Sequence, residues 1–144
     1  LEADNCGMTA HQLPLRAIAT AYARLGVGWA GLPGLDAVAN AMRLNPFLVR
    51  QAGQIDPELM AAAPDLVAKV GAEAAIGIGS VMGRGVAARI VDGGYRAWGP
   101  AGVAVTRHWL DADLRGASIE RIERPPVLDG AHRTIGEVRA VWST

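Results

Sequence analysis

Ala72-Glu73-Ala74-Ala75-Ile76-Gly77-Ile78-Gly79, then Ser80-Val81-Met82-Gly83-Arg84, then Gly85-Val86-Ala87-Ala88-Arg89-Ile90-Val91-Asp92, is the stretch whose reading decides the fold. Short apolar runs bounded by glycines, too short for helices of ordinary length, read as strands. The Gly79–Gly85 segment between them reads as a hairpin loop, so the two runs, Ala72 to Gly79 and Gly85 to Asp92, pair antiparallel. Leu66 to Lys69 reads as a further extended piece, just after Pro64, where the apolar period changes. Asp92-Gly93-Gly94 marks the next turn.

Upstream, the pattern is helical. Leu15, Ile18, Ala19, Tyr22 and Leu25 follow helical spacing behind Pro14, and Gly26 is placed to end a helix over Pro14 to Leu25. A loop from Val27 to Gly34 precedes a second helix, Leu35 to Leu44, broken by Asn45-Pro46. Asp56-Pro57-Glu58 predicts an N-cap followed by proline at the first helical position, hence a short third helix over Pro57 to Ala63. Downstream, Pro100 to Leu110 reads as a fourth helix, Arg124-Pro125-Pro126 as a spacer and Thr134 to Trp142 as a final strand. Helices beside an antiparallel sheet make this an α+β chain, not an alternating βαβ one.

The totals exclude several classes. The 144 residues suffice for one domain with a core. A net charge of zero gives no electrostatic case for nucleic acid or an anionic membrane. No apolar run approaches a membrane span. The single cysteine, Cys6, excludes an internal disulfide and suits a reducing cytoplasm. Because the chain starts at Leu1 with Cys6-Gly7 soon after, it reads as the later portion of a longer protein.

Lys69 is the only lysine, against thirteen arginines. Arginine stays protonated, whereas a partly desolvated lysine can give up its proton near neutral pH. Kept within Leu66-Val67-Ala68-Lys69-Val70-Gly71-Ala72-Glu73, it marks a candidate site; chance survival in an arginine-biased composition weighs equally. Cys6 lies just before the first helix, where a thiol can favour its anionic form, although a lone cysteine usually packs as a small hydrophobe. A closed zinc site needs four ligands, and His11, His108 and His132 do not complete one in sequence. The spacing of Gly77, Gly79, Gly83 and Gly85 fits neither the P-loop nor the dinucleotide fingerprint, so hairpin glycines are the simpler reading. Neither Ser80 nor Ser118 has a lysine three places later, so the Ser-x-x-Lys pair of serine amidohydrolases is absent from these residues.

Taken in order, several segments resemble the asparaginase II family of bacterial amidohydrolases. They are Asp4-Asn5-Cys6-Gly7 with Leu13-Pro14-Leu15-Arg16 and Ala21-Tyr22-Ala23-Arg24-Leu25, Asp56 with Leu59-Met60, and Lys69-Val70-Gly71-Ala72-Glu73. Asp92-Gly93-Gly94-Tyr95-Arg96-Ala97 and Gly136-Glu137-Val138-Arg139 follow. The resemblance spans nearly all of this chain and the later half of the family's length. It implies a fold like the C-terminal part of the serine β-lactamases and glutaminases, with Lys69 in the strand position of their Lys-Thr-Gly element. It also implies that the nucleophilic serine and its partner lysine lie upstream. Cys6 would join upstream ligands at a metal, zinc, with Asp4 supporting the cysteine without binding the metal itself. Departures from the family pattern include Pro57 after Asp56, and Val70 and Ala74 in place of glycines around Lys69.

The resemblance implies hydrolysis of the side-chain amide of L-asparagine through an acyl-enzyme. Lys69 would stabilise developing charge or relay a proton. Gly71 and Glu73, two and four places beyond Lys69 on the same strand face, are assigned to substrate binding; Glu73 either pairs with Lys69 or serves a structural ion pair. Two rivals stand beside this reading: another serine–lysine hydrolase such as a glutaminase, and a non-catalytic domain that binds a partner or completes an oligomer. An apolar surface facing the upstream half can drive self-association, with a homodimer as its simplest form.

Overall fold

The computed structural model describes residues 2–3, 7 and 9–142. Short antiparallel strands β1 (Glu2–Ala3) and β2 (Thr9–Ala10) come first. Helices α1 (Leu15–Val27), α2 (Leu35–Leu44), α3 (Pro46–Val49) and α4 (Ile55–Ala62) follow. Strands β3 (Leu66–Gly71), β4 (Ala75–Ser80) and β5 (Gly85–Arg89) form an antiparallel sheet in that order. A 3-10 turn over Tyr95–Ala97 leads into α5 (Trp98–Leu110), then α6 (Ala117–Glu123) and a hairpin of β6 (Pro126–Leu128) and β7 (Thr134–Glu137). The class is α+β, as the sequence predicts. Among the described residues no helix is long and apolar enough to cross a membrane.

The central sheet is a middle layer. The ladder puts Ala68 beside Ile78 and Val70 beside Ile76, so these residues share one face with Leu66. That face meets Ile55 and Leu59 of α4 and Trp98 and Val103 of α5 in the main core. On the opposite face, Gly77, Gly79 and Gly85 lie under α1. A Cβ on Gly77 would overlap the Tyr22 ring, and one on Gly85 would overlap the Ala19 carbonyl. Of these hairpin glycines, Gly83 takes the left-handed conformation, with φ 75°. Gly79 and Gly85 are there because the α1 backbone approaches the sheet too closely for side chains, and Gly77 because the Tyr22 ring lies across it, reasons that turn chemistry does not reveal.

Other expectations shift for local reasons. Gly26 does not end α1; it is buried in the helix against the backbone of Ser80, and Gly28, with φ 61°, ends it two residues later than expected. Ala72–Ala74 is not strand but the β3–β4 turn, with Glu73 and Ala74 at φ 56° and 51°. Non-glycine residues rarely adopt that conformation, so no glycine or asparagine announced the turn. Asp56 is not an N-cap: α4 starts at Ile55, which places Asp56 in its first turn. The polar segment after α5 holds α6, anchored by the single buried residue Ile119 and so without a legible apolar period. Pro126 opens β6, an edge position that needs no N–H from the proline.

Candidate functional site

Lys69 lies in the middle of β3, an edge strand, directly across the ladder from Gly77. An edge strand leaves alternate backbone groups without a ladder partner. Here the first turn of α4 covers them: the Val70 N–H donates to Oδ2 of Asp56 at 3.3 Å. The Lys69 ammonium donates to that same oxygen at 3.3 Å and to the Val70 carbonyl at 3.0 Å.

Asp56 is fully buried, whereas 41% of the Lys69 side chain remains exposed. A buried carboxylate is costly unless charge and hydrogen bonds compensate it. Lys69, the Val70 N–H and the positive end of α4 supply that compensation for Oδ2. The other oxygen, Oδ1, is buried without a hydrogen-bond partner among the described residues. Partly buried Tyr22 completes the cluster, its ring lying across Gly77. Burial, and secondarily the charge of Asp56, push the Tyr22 phenol above its ordinary pKa.

The predicted site residues are not all brought together. Gly71 sits exposed at the end of β3, where an added Cβ would meet nothing closer than the Ala75 methyl at 3.9 Å. Glu73 is on the turn, not on the strand face of Lys69, and faces Arg89 at 3.9 Å. The Lys69–Glu73 pairing is therefore replaced by Lys69–Asp56. Asp4 and Cys6 lie outside the described residues. Among the described residues no three metal-ligating side chains gather, so these do not make a zinc site by themselves. Asp111 and Asp113 are engaged by Arg84 and Arg115. His108 is exposed and stacks on Trp142, with ring centres 4.8 Å apart.

Sequence reasoning missed Asp56 and Tyr22 as members of the cluster. The Asp-Pro pair imitates a capping signal, and Tyr22 fits the apolar stripe of α1, so neither carried a mark of its role. Clefts elsewhere are walled by other residues. One of about 660 Å³ is bordered by Arg50, Tyr95, Trp98 and Arg121, with the Arg50 guanidinium 5.3 Å from the Trp98 ring centre. Another lies between α5 and the C-terminal segment, bordered by Arg107, Arg139 and Trp142. Neither is lined by Lys69, whose side chain is partly exposed.

The family model described as L-asparaginase II matches residues 1–140. No curated protein gives a significant match to the chain.

Proposed function

We propose that this chain, which belongs to the L-asparaginase II family, carries the Lys69 side of an amidohydrolase site acting on L-asparagine, with L-aspartate and ammonia as products. Family membership supports a hydrolase of the asparaginase type, with an amide substrate. The observation that carries the finer reading is the setting of Lys69. The sole lysine sits on an edge strand, with its ammonium held 3.3 Å from a buried carboxylate and its side chain still partly exposed.

In this reading a serine supplied by the upstream half of the protein, activated by a nearby lysine, attacks the amide carbon. Ammonia leaves from the tetrahedral intermediate, and water then releases aspartate from the acyl-enzyme. Lys69, tethered to Asp56, offers a standing positive charge to the developing oxyanion, which favours charge stabilisation over proton relay. Gly71 leaves space beside it for the substrate. Glu73, on the adjoining turn, offers a carboxylate to a cationic group of the substrate.

The test is ammonia release from L-asparagine and L-glutamine by the full-length protein, with Lys69→Ala as control. Release from asparagine that falls by about 10²–10³ in the variant supports the reading. Normal turnover in Lys69→Ala sinks the role of the lysine, and preference for glutamine transfers the assignment to a glutaminase-like enzyme. One observation favours a second reading, a non-catalytic binding or oligomerisation domain: the Lys69 ammonium is already engaged within its own chain by Asp56 and the Val70 carbonyl. Absence of release from either amide by the wild-type protein selects that reading.

A further inference from the structure

We propose that Asp56 is the positioning residue of the Lys69 site, holding the ammonium and the strand edge together with one carboxylate oxygen. The inference rests on the amidohydrolase reading for its kinetic consequence, but not for its geometry.

The contacts close on a single residue. Oδ2 of Asp56 takes both the Lys69 ammonium and the Val70 N–H at 3.3 Å, while the ammonium also donates to the carbonyl of Val70 at 3.0 Å. A lysine stem has four rotatable bonds and ordinarily samples many rotamers. Two anchors, the adjacent Val70 carbonyl and the Asp56 carboxylate, restrict it to one place above the strand. The carboxylate can act as a fixed point because it is fully buried, set in the first turn of α4 and followed by Pro57. Tyr22 stands on the same face over Gly77, the cross-strand neighbour of Lys69. Its phenol is affected by the charge of Asp56, which puts the two groups within electrostatic reach.

A purely structural ion pair predicts something different. Its purpose would be to satisfy Asp56, yet Oδ1 has no donor among the described residues. The paired oxygen is the one that meets the lysine and its strand. The contact that offsets the charge of Asp56 thus also fixes the Lys69 ammonium beside its own strand.

The experiment compares the full-length wild-type protein with Asp56→Asn, Lys69→Ala and the double variant. Asparagine keeps an oxygen for the Val70 N–H and removes the charge. With L-asparagine as substrate, Asp56→Asn should lower kcat about 10- to 100-fold while KM changes less than about threefold. The double variant should be no slower than Lys69→Ala alone, because the two residues act as a unit. Independently of turnover, acetic anhydride should acylate Lys69 roughly fivefold faster in Asp56→Asn than in wild type, followed by peptide mass spectrometry, since the amine is released from its carboxylate. Losses that multiply in the double variant, or an unchanged acylation rate, overturn the positioning role. A wild-type protein inert toward amides defeats the proposed function alone, and the acylation rate still decides the role of Asp56. Should Asp56→Asn fail to fold, Asp56→Glu retains the charge but displaces it by one methylene. Full activity together with wild-type acylation in that variant would also overturn the proposal.

Discussion

Gly79 of β4 lies directly beneath the carbonyl of Tyr22 in α1, so close that a Cβ on the glycine would overlap the carbonyl oxygen. This contact sets the distance between α1 and the sheet, and thereby the depth at which the Tyr22 ring rests over Gly77 beside Lys69. Gly79→Ala must push a helix backbone outward, and backbone cannot rotate away as a side chain can. We expect a loss of about 2–3 kcal/mol, seen as a fall in Tm of roughly 5–10 °C. An unchanged Tm would show that α1 can lift from the sheet without cost.

Ile78 is fully buried on the other face of the same strand, against α4 and α5. Ile78→Ala removes apolar contacts from both helices and leaves a cavity. Denaturant unfolding should register a loss of about 2–5 kcal/mol. A loss below about 1 kcal/mol would mean that the core collapses into the space.

Tyr22 should ionise later than an ordinary tyrosine, because burial first, and the Asp56 charge second, oppose the phenolate. A raised folded-state pKa adds stability that is present below the unfolded value of 10.0 and is lost as pH rises through the folded value. Phenolate absorbance with Tyr22→Phe as reference should show this late titration. In Asp56→Asn the midpoint should move down without reaching the ordinary value, since burial remains. No movement would mean that the charge of Asp56 does not reach the phenol.

Asp129 organises the β6–β7 turn: its Oδ1 takes the backbone N–H groups of Ala131 and Arg133, and Oδ2 takes the Arg133 guanidinium. The Arg133 backbone, then its side chain, hold the Asp129 pKa below the usual 3.8, with the Ala131 N–H contributing less. A depressed acid stabilises the fold above its unfolded pKa, and the contribution fades as pH falls through the lower folded value. Amide exchange at Ala131 and Arg133 should therefore accelerate below about pH 4 relative to the intrinsic rate. Asp129→Ala should show the faster exchange already at neutral pH. Equal protection in that variant would remove the turn's dependence on Asp129.

The sequence by itself determined the α+β class, α2 within its observed bounds and the β4–β5 hairpin, and it singled out Lys69 as a candidate. Each rests on local chemistry: apolar period, a breaking Asn-Pro, glycines about a loop, and one lysine among arginines. The segment order that suggested the asparaginase family was legible for the same reason, being written along the chain. What lay beyond it came from contacts between distant residues. Gly26 looks like a helix stop until β4 is laid against it. Gly77, Gly79 and Gly85 look like turn residues until α1 crosses them. Glu73 stays on the Lys69 face until a turn with two left-handed residues carries it toward Arg89. Asp56 looks like a cap until the edge of β3 closes over it, fourteen residues away in sequence. Only the tertiary structure chooses the partner of Lys69, because burial of a carboxylate and an unpaired strand edge exist only once helix and sheet have met.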